Sequence, residues 1–348
     1  MLIDLHDYIF HTRYVLCKMY GTNQKCLRFF MKSYVYQTQS GQVGYAQIRD
    51  GKIYYYPYEP KFNEHVGVQD WEQYFALERI GSPNNTIPYQ YTEQELHDAL
   101  GVFLSRSSFS GPVKIIKTTT VIDAGSYYAR MNFGEPFLSD TQIATTERAD
   151  ETLAYDNIIQ ELTEIFRTVE PEQGNFSAYG NRIRELLIIA CTEVEYLWKA
   201  LLKANGVTAQ SRNYTTTDYI WCLPLLKLND YEVSLPFYPG LGNFKPFMSW
   251  NKTSPTQSLS WYNAYNSVKH DRGSTKNLAT LEELINSIAA IHILLESQYG
   301  KELFDFRMQH TFRTLFYTEK RPIWGDSEIC SPKLTREGLE WNSVKTHP

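Results

Sequence analysis

A change of pattern near residue 140 constrains this chain more than any other feature. Before it, short runs rich in Tyr, Val and Ile are punctuated by glycine. After it, apolar residues recur at three- and four-residue spacing over long stretches. The break predicts an α+β protein: a mixed, strand-rich domain over residues 1–140, an all-α bundle over 145–305, and a basic and aromatic C-terminal extension over 306–348.

In the first part, residues 33–36, 43–48 and 52–56 read as strands, and residues 113–122 add further β-prone sequence. Asp50-Gly51 predicts a type I′ hairpin turn, which needs positive φ at both central positions. Thr92 with Glu95 forms a capping box ahead of Leu96, Leu100 and Phe103, so one helix is expected among the strands. The cluster Tyr54-Tyr55-Tyr56-Pro57-Tyr58 is either a stacking surface or, as in many half-buried strands, alternate rings lining a core while the others face solvent. No catalytic motif stands in the first 140 residues, and a sensing or recruiting role is the expectation for them.

Beyond the break, Leu153, Ile158, Leu162, Ile165 and Phe166 mark a first helix that stops before Pro171. Ile183, Leu186, Leu187, Ala190, Val194, Leu197 and Leu201 mark a second, over about 179–203, with Gly206 just past its end. A third covers about 257–271. A fourth opens with Thr280 and Glu283, again a capping box, and runs through Leu281, Leu284, Ile285, Ile288, Ile291 and Leu295. Four such helices predict a bundle. The aromatic insertion over 205–257 is too long for a structureless loop, and Phe237, Tyr238, Phe244, Phe247 and Trp250 suggest a collar packed on the bundle. His292, beside the stripe of the fourth helix, reads as a core or flank residue. The tail, with Arg307, His310, Arg313, Lys320 and Arg321 among aromatics, reads as an amphipathic helix or a nucleic-acid contact.

Composition removes several function classes. A hydrophobic content of 43 % excludes wholesale disorder, and a net charge of −5 leaves no global basic footprint for nucleic acid. Five scattered cysteines without a C-x-x-C pair argue against a zinc site or disulfide framework and for a reducing compartment. No apolar run approaches the ~20 residues that span a bilayer, and no secretory signal is evident, so a cytoplasmic protein with no membrane partner is expected. The P-loop, G-x-G-x-x-G and G-x-S-x-G patterns are absent, the histidines lack metal-ligand spacing, and no cofactor or metal is expected.

One segment concentrates chemistry: Ser260-Trp261-Tyr262-Asn263-Ala264-Tyr265-Asn266-Ser267-Val268-Lys269-His270-Asp271-Arg272-Gly273. Tyr262, Asn266 and His270 follow at steps of four and fall on one helix face, where Asn266 is placed to hydrogen-bond one ring nitrogen of His270. Histidine is the side chain whose ordinary pKa lies nearest neutrality, which suits proton transfer. A plainer reading serves the same letters. Gly273 ends a helix whose last turn carries Lys269, His270 and Arg272, cations favoured there by roughly 0.3–1 kcal/mol each.

Two long helices, a connection, a helix ending in this motif and a last long helix together resemble a HEPN domain. In many HEPN proteins an arginine, a polar residue that is often asparagine, three further residues and a histidine form the motif. This chain matches at Asn266, Val268 and His270 and has Tyr265 where the family has arginine. Arg182, Glu185, Glu193, Glu195 and Trp198 of the second helix resemble what such helices present toward the motif. The resemblance covers roughly 150–300. It implies metal-independent endoribonuclease activity of an anti-phage or toxin–antitoxin type, a composite site made by a homodimer, and His270 and Asn266 as catalytic residues. Lys269, Arg272, Tyr265 and Arg182 are the candidates for RNA binding, with Arg182 or Arg184 close enough to share an anion with the motif. The other expectation is a non-catalytic dimerisation or nucleotide-binding module, since tyrosine carries no charge.

Overall fold

The computed structural model describes residues 32–57, 66–71, 73–74, 91–107, 112–121, 126–132, 145–304, 314–325, 328, 333–336, 339–340 and 342–344. Its first body is an antiparallel sheet of β1 (Lys32–Thr38), β2 (Val43–Arg49), β3 (Lys52–Pro57), β4 (Gly67–Asp70) and β5 (Ile115–Val121), in the order β4-β3-β2-β1-β5. Asp50 and Gly51 both adopt positive φ (54° and 71°), and Arg49 pairs with Lys52 across the turn, as Asp-Gly requires.

Helix α1 (Glu93–Ser107) starts at the expected reciprocal cap: Thr92 N–H donates to Glu95 Oε2 (2.8 Å) and Glu95 N–H to Thr92 Oγ1 (3.2 Å). It packs Leu96, Leu100 and Phe103 onto Tyr34, Tyr36, Ile53 and Tyr55 of the sheet. The opposite face is not open to solvent, which corrects the alternating picture for the tyrosine cluster. Val35, Tyr45 and Tyr54 are buried there against Val66 and Leu334 from near the C-terminus. Two tyrosines sit directly across from glycines, Tyr36 from Gly44 and Tyr55 from Gly67. A Cβ on either glycine would collide with the facing ring, so each glycine is the space the ring occupies.

The helical body holds α2 (Thr145–Phe166), α3 (Asn181–Ala204), α4 (Ser260–His270) and α5 (Leu281–Tyr299). Every expected apolar position of α3 is buried. In α2, Leu153 departs from the expected stripe: it is 58 % exposed and Tyr155 takes the interior place. α5 is more than amphipathic. All residues from 287 to 299 are buried, because α2, α3 and α4 enclose it together with a strand from the tail. Each such Leu or Ile contributes roughly 1.5–3 kcal/mol. Its capping box is only half made. Glu283 N–H donates to Thr280 Oγ1 (3.4 Å), but the Glu283 carboxylate accepts from Ser260 Oγ (3.0 Å) and so ties the start of α4 to the start of α5.

The aromatic insertion is structured. It holds short helices Thr216–Tyr219 and Cys222–Leu226, then β7 (Glu232–Ser234) and β8 (Asn243–Phe244). Phe244, Phe247 and Trp250 are buried as a collar, whereas Phe237 is 80 % exposed. Trp250 stacks on Trp198 of α3 at 4.8 Å, with Tyr219, Trp261 and Tyr262 at 5.2, 6.1 and 5.7 Å.

Among the described residues of the tail, helical structure is confined to the short turn Lys301–Phe304 and to Glu328, where Glu328 N–H donates to Gly325 O (2.9 Å). β9 (Tyr317–Lys320) pairs with β7, β10 (Lys333–Leu334) with β11 (Leu339–Glu340), and β12 (Asn342–Val344) runs parallel to β6 (Ser126–Tyr128). Leu334 N–H donates to Gln47 Oε1 (2.9 Å), and Arg49 Nη2 to Leu334 O (2.6 Å). The segment expected as an extension thus adds strands to both bodies. Arg307, His310 and Arg313 lie outside the described residues. No helix among the described residues is long and apolar enough to cross a membrane.

Candidate functional site

α4 carries the motif, and its sequence decides what it hides. Trp261, Tyr262, Ala264, Tyr265 and Val268 recur at three- and four-residue spacing and form the buried face. Trp261 Nε1–H is anchored on Pro246 O of the collar at 3.0 Å. From this face Tyr262 reaches across to Glu195 of α3. Asn266 is half-buried at the edge of this face, and Lys269 and His270 are exposed in the last turn.

The helix ends three residues before Gly273, the expected stop. Asp271 leaves helical geometry (φ −137°, ψ 73°), and its carboxylate accepts from Ser274 N–H (3.3 Å) and from Ser274 Oγ. That makes Asp271 the cap of a new short helix, Arg272–Thr275, in which Gly273 is an interior residue. Hydrogen bonds from Ser274 hold the Asp271 carboxyl below its ordinary pKa. Thr275 Oγ1–H donates to Ser267 O (3.0 Å), a second hydrogen bond on a carbonyl that already accepts from Asp271 N–H (2.9 Å).

Two tyrosines of the motif are committed inward. Tyr262 Oη–H donates to Glu195 Oε1 at 2.6 Å, and burial followed by this carboxylate pushes its pKa up. Tyr265, at the position of the family arginine, is 1 % exposed. Its hydroxyl accepts from Lys269 Nζ at 2.7 Å; burial raises its pKa, so the phenol stays neutral. Lys269 is held protonated beyond its usual range, chiefly by that hydrogen bond.

The hydrogen bond expected between Asn266 and His270 does not form. Neither side chain is bonded to any described residue. Four-residue spacing brings Cβ atoms to about 5–6 Å without setting rotamers, and at an exposed helix end water competes for both groups. Arg182 is engaged elsewhere, in an ion pair with Glu161 of α2 at 2.9 Å, and Arg184 is buried with Nη1 donating to Asn181 Oδ1 (3.2 Å). Neither is bonded to the motif. Arg272 starts the short helix that follows.

Two polar clusters escaped the sequence reading. In the first, Arg130, whose side chain is largely covered, is bound by Glu147, Glu151 and Gln298. Lys199 and Lys203, four apart on α3, carried the only sequence signal for it; the partners of Arg130 lie up to 168 positions away. In the second, His292 is buried as expected. Thr318 Oγ1–H donates to Glu296 Oε2 (2.6 Å), so the threonine oxygen is left to accept from His292 Nε2–H (3.0 Å), and Nδ1 faces two hydroxyls, Tyr155 Oη (3.2 Å) and Thr314 Oγ1 (3.3 Å), which lie 2.8 Å apart. Arg321 closes the chain on Glu296 at 2.6 and 3.0 Å. Burial lowers the His292 pKa to about 3, so the imidazole is neutral despite Glu296 Oε2 at 3.9 Å.

Cys191 and Cys222 are free thiols whose pKa burial raises well above the ordinary value. No group of three or more metal-ligating side chains occurs among the described residues. No protein-family model, curated protein or solved structure matches this chain.

Proposed function

We propose that residues 145–305 are a HEPN-like domain that works as a homodimer, with His270 as the general acid/base of a metal-independent endoribonuclease. Its setting is cytoplasmic, in an anti-phage or toxin–antitoxin type system. One observation carries this reading: the His270 imidazole is exposed at the end of α4, hydrogen-bonded to no described residue, with the Lys269 ammonium one residue away.

The chemistry follows from those groups. In-line attack of a ribose 2′-hydroxyl on the adjacent phosphate needs a base at the hydroxyl, an acid at the departing 5′-oxygen and positive charge at the phosphoryl oxygens. Two copies of His270 divide the first two tasks between protomers. Tyr265 faces the interior, so the charge comes from Lys269, which Tyr265 positions. DNA lacks the attacking hydroxyl and is not cut.

The test uses the full chain with single-stranded RNA and the same sequence containing a 2′-deoxy substitution. Expected are products ending in 2′,3′-cyclic phosphate, made in the presence of a chelator, and their loss in His270→Ala with the oligomeric state and circular dichroism unchanged. Undiminished cleavage by His270→Ala overturns the assignment.

A second reading, a non-catalytic dimerisation or RNA-binding module within a larger assembly, is favoured by the burial of Tyr265 and the missing arginine. It predicts salt-dependent RNA binding that Lys269→Gln weakens, with no turnover.

A further inference from the structure

A cavity of about 510 Å³ opens against the C-terminal half of α3, lined by Arg130, Glu147, Tyr196, Lys199 and Lys203. Pockets for small molecules occupy about 300–1,000 Å³, so it has room for a nucleotide-sized ligand. Its one buried charge is Arg130, whose side chain is 8 % exposed. The guanidinium is built in: Nε–H donates to Gln298 Oε1 (2.7 Å), Nη2 to both Glu151 oxygens (2.7 Å) and Nη1 to Glu147 Oε2 (3.1 Å). The backbone holds Arg130 in the left-handed region (φ 60°), a conformation unfavourable for an L-residue and retained where surroundings enforce it.

The charges do not balance. Glu151 neutralises Arg130 and is itself 2 % exposed, receiving Tyr299 Oη–H at 2.6 Å. Lys199 and Lys203 are exposed at the rim and have no partner among the described residues. Against them stand Glu147, which is 60 % exposed, and Glu193 near Glu151 and Arg130, its pKa raised to about 7 by burial and the Glu151 carboxylate. Cations around a cavity define an anion site, and the Tyr196 ring in its wall offers a flat apolar surface.

We propose that this cavity binds a small phosphomonoester, the phosphate held by Lys199, Lys203 and Arg130 in place of the Glu147 carboxylate, and a planar organic part lying on Tyr196. The site is independent of the reading of His270. It lies where the segment after β6 meets the bundle: Asn205 Nδ2–H donates to Ala129 O (2.8 Å) and Asn132 N–H to Ser297 O (2.9 Å).

Calorimetric titration of the full chain with inorganic phosphate, sulfate and adenosine monophosphate tests it. Saturable binding is expected for phosphate, tighter for the nucleoside monophosphate. The K199Q/K203Q pair should weaken both by about tenfold or more, as expected when charge-assisted hydrogen bonds are lost. Glu147→Gln should strengthen both, by removing the competing carboxylate. Tyr196→Ala should erase the advantage of the nucleoside monophosphate while leaving phosphate binding in place. Sulfate binding as well as phosphate with no nucleoside advantage, or binding unchanged in the lysine pair, overturns the proposal, as does no saturable binding.

Discussion

Lys269 Nζ donates to Tyr265 Oη at 2.7 Å and stands 4.8 Å from the centre of the same ring, one helical turn away. The lysine is therefore a positioned cation rather than a free surface charge, and the hydroxyl of a buried ring does the positioning.

Tyr265→Phe tests that relationship. The ring still fills its place, so the expected loss of stability is about 0.5–1.5 kcal/mol, the net worth of one hydrogen bond. The Lys269 pKa should fall toward its ordinary value, read by NMR titration of the ammonium. Because the folded pKa is raised, the bond stabilises the native state throughout the neutral range and is lost only as pH rises past it. An unmoved lysine pKa would show that the hydroxyl does not hold it.

Glu193 gives a second pH signature. Burial and the nearby Glu151 carboxylate raise its pKa to about 7, against partial relief from Arg130. A carboxyl raised in the folded state favours folding fully below pH 4.5, and that contribution disappears as pH rises through about 7. Glu193→Gln should therefore stabilise the protein above neutrality, on the order of 1 kcal/mol once solvent screening is discounted, and have little effect in acid. Denaturant midpoints at pH 5 and 8 decide it.

The Arg321–Glu296 pair joins a buried carboxylate to a guanidinium that is 38 % exposed. Glu296 is 2 % exposed and its two oxygens accept from Arg321 and Thr318. Arg321→Ala leaves that carboxylate with Thr318 Oγ1 as its remaining hydrogen-bond donor among the described residues and should cost about 1–3 kcal/mol, with β9 exchanging its amide protons faster. His292, with its pKa depressed to about 3, adds acid sensitivity: its contribution is present above pH 6.5 and lost as pH falls toward 3.

Gly44→Ala is expected to disturb the sheet, because the new methyl meets the Tyr36 ring and the Tyr56 carbonyl. Overpacking of this kind costs about 1–3 kcal/mol. Pairing the change with Tyr36→Leu should recover part of it, measured as thermal unfolding of the double variant against each single one.

Local chemistry was legible residue by residue. Asp50-Gly51 named its turn, Thr92 with Glu95 named the start of α1, and the apolar spacing from Ile183 to Leu201 named the buried face of α3. Each depends on neighbours within a turn or two, where backbone preference and hydrogen-bond reach decide. The misses lie where a distant segment intervened. Thr280 and Glu283 carried the same letters as Thr92 and Glu95, but Ser260 was near enough to claim the carboxylate. Gly273 looked like a helix stop until Asp271 began a new helix before it.

The candidate site divides the same way. The order of residues alone put His270, Lys269 and Asn266 at the end of one helix, because a 3.6-residue period is a local property of the backbone. It could not say that Tyr265 turns inward, that Arg182 is held by Glu161, or that Arg130 meets Lys199 and Lys203 around a cavity. Those contacts join residues far apart in the chain. They are set by which apolar surfaces close on one another, and that only the folded structure decides.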